Sequence, residues 1–160
     1  MSNILITGGT GFLGSQLVKE ILSNTDDNVY LLVRGENHSL AVNKVLVLLE
    51  TVFSPEKLGD NEKRRIEVIL GDVTKENLGL SESTVGSLSE KISIIYHCAA
   101  ITNLVMSQRE IDKTNVAGTR NVLNLAVKCS KKNSSIKVNH ISTVLFLEPK
   151  LIVFTKKTWT

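Results

Sequence analysis

Short apolar runs alternate along this chain with longer segments in which apolar residues recur every three or four positions. A short continuous apolar run is typical of a strand buried on both faces, and the longer spacing is typical of an amphipathic helix. The runs predict five strands, at residues 4–7, 29–33, 66–70, 92–97 and 136–141.

The segments between these strands predict the helices that would cover a sheet. Helices are expected from the first turn to about residue 24, over 39–53, within 77–88, and from Asn115, which opens the last one, to about residue 131. The charged stretch 56–65 is expected to be a link. Gly118 inside the last helix costs about 1 kcal/mol relative to alanine, which predicts close packing against a neighbour. Strands that alternate with helices indicate an α/β fold with a doubly wound parallel sheet.

A glycine-rich turn joins the first strand to the first helix. Gly8, Gly11 and Gly14 allow a sharp turn and a close approach of backbone to ligand, and the helix that follows offers free N–H groups and the positive end of its dipole. The spacing differs from the commoner G-x-G-x-x-G, and a tight turn could use these glycines without a ligand. The helical pattern that follows favours a bound pyrophosphate; its apolar positions are Phe12, Leu13, Leu17, Val18, Ile21 and Leu22.

The second strand ends at Arg34, and no carboxylate follows before Glu36. In a dinucleotide-binding fold an acidic residue at this point hydrogen-bonds the ribose 2′-hydroxyl, whereas an arginine accommodates a 2′-phosphate. Arg34 therefore favours NADP over NAD as the cofactor. The alternative is that Arg34 is an ordinary solvated residue at a strand end, because arginine is common on surfaces.

Further candidate residues follow the other strands. Asp72 could accept a hydrogen bond from an adenine amino group, although a Gly-Asp pair is also an ordinary turn. The small side chains of Ala99 and Ala100 would let the backbone lie close to the nicotinamide ribose. The fifth strand ends in Ser142 and Thr143. Because the carboxyl ends of parallel strands meet at one edge of the sheet, we expect these residues beside the glycine turn.

Histidine and cysteine give little support for a metal site. His97 could be catalytic, but a single histidine at the end of a buried strand is more often a hydrogen-bonded core group. His97, Cys98 and Cys129 lack the spacing of a structural zinc site. The two cysteines are expected to be reduced and packed in the interior.

Length and composition limit the number of domains and the classes of partner that we expect. With 160 residues, 42% of them hydrophobic and 22% charged, the chain is long enough for one core-forming domain and hardly for two. Its formal net charge of +3 is scattered along the sequence, so no nucleic-acid partner is expected. No apolar run approaches membrane-spanning length, and the first strand begins too near Met1 to leave room for a signal peptide. We therefore expect a cytoplasmic location and no membrane partner.

Seven segments carry a resemblance to a known family: TGGTGFLG (7–14), LLVR (31–34), GDV (71–73), NLGLS (77–81), YHCAA (96–100), NVAGT (115–119) and IST (141–143). With them the chain resembles the extended short-chain dehydrogenase/reductases. More narrowly, it resembles their thioester reductase branch, which includes carboxylic acid reductases, terminal reductase domains of peptide synthetases and fatty acyl-CoA reductases. The glycine turn marks the superfamily, while Arg34 with the helix after it and the stretch 77–81 point to the branch.

This resemblance implies a Rossmann sheet of strand order 3-2-1-4-5 and an NADPH-dependent reduction. Its substrate would be an acyl thioester on a carrier protein or CoA, its product an aldehyde or alcohol, and the chain could be one domain of a larger synthetase. Thr143 matches the residue whose hydroxyl binds the substrate carbonyl, with Ser142 as the neighbouring candidate, and Asn115 matches an asparagine that supports the active site. The implied cofactor contacts are Gly8, Thr10, Gly11, Phe12, Leu13, Gly14, Arg34, Asp72, Val73, Ala99 and Ala100.

Two departures from the family bear on activity. The family's Tyr-x-x-x-Lys pair protonates or holds the oxygen that becomes negative on hydride transfer. Here the tyrosines are Tyr30 and Tyr96, both in predicted strands, and neither has lysine four positions later. Residues 145–160 also depart from the family pattern. We therefore expect an NADP-binding domain at 1–144 and a divergent or truncated tail at 145–160, with the substrate-binding C-terminal part missing.

Three interpretations stay open at this point. The chain is the cofactor-binding portion of an NADPH-dependent thioester reductase, or it is a catalytically inactive NADP-binding regulatory or interaction module. The third is a reductase or epimerase that acts on a ketone or a nucleotide sugar.

Overall fold

The computed structural model describes residues 1–103 and 105–142 of the chain. Within them lie the strands β1 (Asn3–Thr7), β2 (Asn28–Val33), β3 (Ile66–Leu70), β4 (Ile94–His97) and β5 (Lys137–His140). The helices are α1 (Phe12–Asn24), α2 (His38–Phe53), α3 (Asp60–Arg64), α4 (Glu82–Lys91), α5 (Gln108–Ile111) and α6 (Gly118–Ser130). A short 3-10 turn (Glu76–Gly79) precedes α4, and a wider π-helical turn (Asp112–Ala117) joins α5 to α6.

The strands form one parallel sheet in the order β3-β2-β1-β4-β5. β1 lies at its centre, where Leu5 is aligned with Tyr30 of β2 and with Ile95 of β4. This order confirms the predicted doubly wound α/β fold. Because the strand order reverses direction between β1 and β4, the carboxyl ends of these two strands border a crevice suited to a ligand.

Alternate residues of the central strand face opposite sides of the sheet. Ile4 and Ile6 pack in the core covered by α1 and α2, while Leu5 packs in the core covered by α4 and α6. Leu5 and Ile6 are completely buried. The two cores therefore fix the carboxyl ends of the strands from both sides.

The last long helix begins earlier than the sequence predicted. It starts at Gln108, where Ser107 and Glu110 form a capping box, and passes through the π-helical turn into α6. The prediction that Asn115 opens this helix is therefore wrong, and Asn115 lies inside the π-helical turn. The physical reason is the capping box, which satisfies the first free N–H groups at Ser107 instead.

The stretch 56–65 is not only a link, because it contains α3. Acidic residues in the first turn of α3 and basic residues in its last turn complement the helix dipole, which favours a short helix over an open loop.

The inner face of α1 begins later than the sequence predicted. Phe12 and Leu13 are 82% and 61% exposed, whereas Gly14 is buried. The first turn of α1 lies at the carboxyl edge of the sheet, so its apolar side chains reach past the core that the rest of the helix covers.

The close packing predicted for Gly118 is confirmed. A Cβ atom at this position would lie 3.1 Å from Cγ2 of Val73. The first turn of α6 is thereby held against the segment that follows β3.

Candidate dinucleotide site

A cleft of about 410 Å³ opens at the carboxyl edge of the sheet. It runs across the ends of β2, β1 and β4, and seven of the eleven residues predicted to bind the cofactor contribute to it. Its lining residues are Gly8, Thr10, Gly11, Leu32, Val33, Arg34, Gly71, Val73, Thr74, Cys98, Ala99, Ala100, Ile101, Met106 and Thr114.

The glycine turn forms the centre of this cleft. Gly8 has a φ of +72°, and a Cβ atom there would lie 2.6 Å from the backbone nitrogen of Ala99. A Cβ atom at Gly14 would lie 2.2 Å from the carbonyl oxygen of Gly8. That carbonyl accepts the N–H of Gly11 at 3.0 Å, and the first turn of α1 has no side-chain cap. The turn therefore brings bare backbone and uncapped helical N–H groups to the mouth of the cleft.

Four residues predicted to bind the cofactor are not among the lining residues: Phe12, Leu13, Gly14, and Asp72, which lines a smaller neighbouring cleft. The side chains of Phe12 and Leu13 are exposed at the start of α1, and Gly14 is buried beneath the turn. Gly14 permits the close packing of the turn, and Phe12 and Leu13 can reach a ligand through their backbone N–H groups. Their assignment stays a prediction.

Arg34 and Asp72 meet in a second, smaller cleft of about 200 Å³ that adjoins the first. Arg34 is exposed at the end of β2, and Lys75 lines the same small cleft. Arg34 forms no ion pair within the part of the chain that the structure describes. Two cations and the carboxylate of Asp72 thus border a recess beside the main cleft, and the excess of positive charge suits an anionic group.

Asp72 is held in place by its own turn. Its Oδ1 atom accepts the backbone N–H of Thr74 at 2.9 Å. Burial alone would raise the pKa of Asp72, but the hydrogen bonds from Thr74 and the positive charges of Arg34 and Lys75 outweigh it and lower the pKa below its usual value. Asp72 is therefore an anion that offers acceptor oxygens at the edge of the cleft.

The segment after β3 takes an uncommon backbone path. Asn77, Leu78 and Gly79 all have left-handed φ values, of 51°, 60° and 71°. Leu78 is completely buried, and its carbonyl accepts the N–H of Asp72 at 2.7 Å. Burying the Leu78 side chain compensates the strain that a left-handed leucine carries. We call residues 71–80 the β3 loop.

Asn121 of α6 fixes the β3 loop from outside. Its Nδ2 atom donates to the carbonyl oxygens of Val73 at 2.8 Å and of Lys75 at 3.0 Å. Asn121 was not predicted from the sequence, since a lone asparagine on a helix belongs to no motif and nothing in its spacing indicates such a role.

Asn115 supports the opposite wall of the cleft. Its Oδ1 atom accepts the N–H of Ile101 at 2.8 Å, and its Nδ2 atom donates to the carbonyl oxygen of Ile101 at 2.9 Å. Ser142 is exposed after β5 and is not among the lining residues. Thr143 lies outside the described residues.

His97 lies behind the cleft. It is 1% exposed, and both ring nitrogens contact threonine hydroxyls, as expected for a hydrogen-bonded core histidine. Within residues 1–103 and 105–142, no group of three or more His, Cys, Asp or Glu side chains could hold a metal ion. None of the helices formed by the described residues combines the length and apolar character needed to cross a bilayer.

Comparisons with known proteins agree with a dinucleotide site. A family model for NAD-binding domains, described as "Male sterility protein", matches residues 6–158. A linear gramicidin synthase polypeptide from Brevibacillus parabrevis is 36% identical over 143 residues, which are 88% of this chain and 3% of that protein. Fatty acyl-CoA reductase 1 from Xenopus laevis is 32% identical over 146 residues, which are 88% of this chain and 28% of that protein.

A solved structure shares the architecture as well. The terminal R domain from the myxalamid PKS-NRPS biosynthetic pathway superposes with a TM-score of 0.77 at 36% identity, covering 90% of this chain and 35% of that one. The chain therefore spans about a third or less of the length of each of these three proteins.

Proposed function

The chain belongs to the male sterility protein family of NAD-binding domains, and from that membership we propose that it is the cofactor-binding portion of an NADPH-dependent thioester reductase. The reaction is reduction of an acyl thioester, held on a carrier protein or on CoA, to an aldehyde or an alcohol. Nearly the whole chain falls within the family match, so the proposal applies to the domain described above.

One observation carries the proposal. The glycine turn, with its uncapped helical N–H groups, and the unpaired guanidinium of Arg34 open onto the same cleft in the described structure. Pyrophosphate suits the first feature and a ribose 2′-phosphate suits the second. The absence of a side chain at Gly8 also fits a ligand that lies against the backbone, because a Cβ atom there would collide with Ala99.

The proposed cofactor contacts lie along the cleft and at its edges. Gly8, Thr10 and Gly11 hold the pyrophosphate, and Phe12 and Leu13 add backbone N–H groups. Arg34 holds the 2′-phosphate. Asp72 and Val73 border the adenine, and Ala99 and Ala100 leave room for the nicotinamide ribose. When bound, the cofactor supplies the hydride.

The substrate class is supported by the names of the relatives. A fatty acyl-CoA reductase and a terminal R domain of a synthetase pathway both match nearly the full length of this chain. Together with the family resemblance, these names favour an acyl thioester, on CoA or on a carrier protein, as the substrate. We propose that this chain serves a reductase of the same class, with Ser142 and Thr143 near the substrate carbonyl.

The described residues place no tyrosine in the cleft to protonate the reduced oxygen. Tyr30 is buried in β2 and Tyr96 lies in β4, and neither is among the residues that line the cleft. This observation favours a second candidate, an NADP-binding regulatory or interaction module without catalysis. Reading the gene past codon 160 separates the two, since an in-frame Tyr-x-x-x-Lys pair supports the reductase and a stop supports the module.

The cofactor assignment is tested by titrating the chain with NADPH and NADH and following binding by calorimetry. We expect NADPH to bind at least tenfold more tightly, because the guanidinium of Arg34 contacts only the 2′-phosphate. Arg34→Ala should remove this preference and leave NADH binding unchanged.

The matched control is Arg64→Ala. Arg64 is also exposed, but it ends α3 two positions before β3 begins and so lies at the opposite, amino edge of the sheet. A preference for NADPH that survives Arg34→Ala, or equal affinity for both cofactors in the folded wild-type chain, would contradict the proposal.

A further inference from the structure

His97 joins two elements that border the cleft. It lies at the carboxyl end of β4, with Nδ1 2.6 Å from Oγ1 of Thr7 at the end of β1. Its Nε2 atom lies 3.1 Å from Oγ1 of Thr119 in α6. A neutral imidazole has one donor and one acceptor nitrogen, so the two hydroxyls decide which nitrogen carries the proton.

The hydroxyl of Thr119 has its only proton committed elsewhere. It donates to the carbonyl oxygen of Asn115 at 2.6 Å, and a carbonyl can only accept. Oγ1 of Thr119 must therefore accept from His97, so Nε2 carries the proton. Burial, with a smaller effect of the neighbouring His140, lowers the pKa of His97 to about 4, so the ring is neutral at pH 7.

Thr7 continues the hydrogen-bond network from the Nδ1 atom of His97. Its hydroxyl donates to the bare Nδ1 atom of His97, and its oxygen then accepts the backbone N–H of Ala99 at 3.4 Å. Every bond from Ala99 through Thr7, His97 and Thr119 to Asn115 thus has a fixed direction.

Asn115 connects the network back to the segment 98–101, which also contains Ala99. Its side-chain amide holds both backbone groups of Ile101. Ala99 and Ile101 both line the cleft. The segment 98–101 is therefore held near both of its ends by one network, and His97 is its middle member.

We propose that His97, neutral and protonated on Nε2, is a positioning residue that fixes the cleft wall formed by residues 98–101. The other neutral form would turn a bare Nε2 atom toward an oxygen that has no proton to give, and two lone pairs would then face each other. The inference rests on the proposed function only in naming the ligand of the cleft, because the hydrogen bonds exist without it.

The first test measures the tautomer directly. Long-range nitrogen–proton NMR spectra of the full chain, recorded at pH 7 without cofactor, distinguish the two neutral forms and the imidazolium. The chain has three histidines, and the signals lost in His38→Gln and His140→Gln variants assign the remaining one to His97. We expect a neutral ring with the proton on Nε2. A proton on Nδ1, or on both nitrogens, would overturn the proposal.

The second test compares two substitutions at one position. Thr119→Val removes the hydroxyl with little change of shape, and Thr119→Ser keeps it. We expect Thr119→Val to speed amide hydrogen exchange of Ala99 and Ile101 about tenfold and to weaken NADPH binding about tenfold, with Thr119→Ser within about twofold of the wild type. Equal exchange rates in the two variants would overturn the proposal.

These measurements test the positioning role of His97 separately from the proposed binding of NADPH. The tautomer and the exchange rates are read without NADPH, and the tautomer needs only the wild-type chain if Thr119→Val fails to fold. A chain that shows the Nε2-protonated ring and slow exchange but binds no NADPH would contradict the proposed function and support the positioning network.

Discussion

Gly8 is the residue at which conformation and packing leave the least freedom. Its φ of +72° is unfavourable for any residue with a side chain, and the atoms that a Cβ would meet belong to the backbone of Cys98 and Ala99. Backbone at the end of β4 cannot move aside as a flexible side chain can. Gly8 is therefore required by the fold itself.

We predict that Gly8→Ala lowers the free energy of unfolding by about 2 kcal/mol or more and abolishes NADPH binding, because the turn must shift away from β4. Urea denaturation followed by circular dichroism measures the first effect, and calorimetry the second. Gly86→Ala is the control, since Gly86 lies within α4 and a Cβ there meets nothing within 4 Å. It should stabilise the chain by about 0.5–1 kcal/mol. A Gly8→Ala chain as stable as the wild type would contradict this account of the turn.

At the scale of elements, α6 holds the β3 loop and the wall 98–101 together. Asn121 binds the carbonyls of Val73 and Lys75, and Lys128 donates to Oδ1 of Asn77 at 2.8 Å. These bonds keep the left-handed stretch of the β3 loop against the helix. The end of the cleft beside the β3 loop therefore depends on a helix that does not itself line that end.

We predict that Asn121→Ala weakens NADPH binding about five- to tenfold, because the β3 loop loses two hydrogen bonds that order it before the ligand arrives. Faster hydrogen exchange of the Asp72 N–H, which the Leu78 carbonyl accepts, should accompany the loss. Asn124→Ala on the exposed face of the same helix is the matched control. Equal affinities of the two variants for NADPH would refute the role of Asn121.

The elements that the sequence predicted well are those whose signal is local. The strands and the glycine turn can be predicted from residues that are adjacent in the sequence. The position of Arg34 at the carboxyl edge of the sheet can be predicted because it comes directly after a strand. Asn121 could not be predicted, because its partner carbonyls lie 48 and 46 residues away along the chain. The start of the last helix was predicted too late, at Asn115. The capping box formed by Ser107 and Glu110 starts the helix at Gln108 instead.

For the whole molecule, the strand order and the family match confirm the resemblance to thioester reductases. The topology explains how residues far apart in sequence reach one site. Gly8, Arg34, Val73 and Ala99 follow four different strands, and the parallel sheet brings all four strand ends to one edge.

The global stability should depend on pH through His97. Its pKa is about 4 in the folded chain and near 6.5 when unfolded, so the unfolded chain binds an additional proton between these values. The free energy of unfolding should therefore fall as the pH is lowered from 6.5 to 4, by on the order of 3 kcal/mol, and this loss is absent above pH 6.5.

Urea denaturation at several pH values measures this dependence. His140 stacks on His97 at 5.1 Å between ring centroids and is the titratable neighbour, while Thr7 and Thr119 are uncharged. His38→Gln, at an exposed site, is the control that should keep the slope. Asp72 has a pKa below its usual value of 3.8, so its contribution is lost mainly below that value and overlaps only the acid end of this range. Stability that stays constant between pH 6.5 and 4 would contradict the burial of a neutral His97.

The π-helical turn and the start of α6 also fix the distance between Asn115 and Asn121. Asn115 and Asn121 are six positions apart on one continuous helical segment, so the supports of the two cleft walls are spaced by about 9 Å along its axis. The segment therefore fixes the spacing between these two supports. Adding or deleting one residue between them would shift one support by about 1.5 Å and rotate it by roughly 100°. Natural length variation among relatives should therefore avoid this interval and fall in the loops instead.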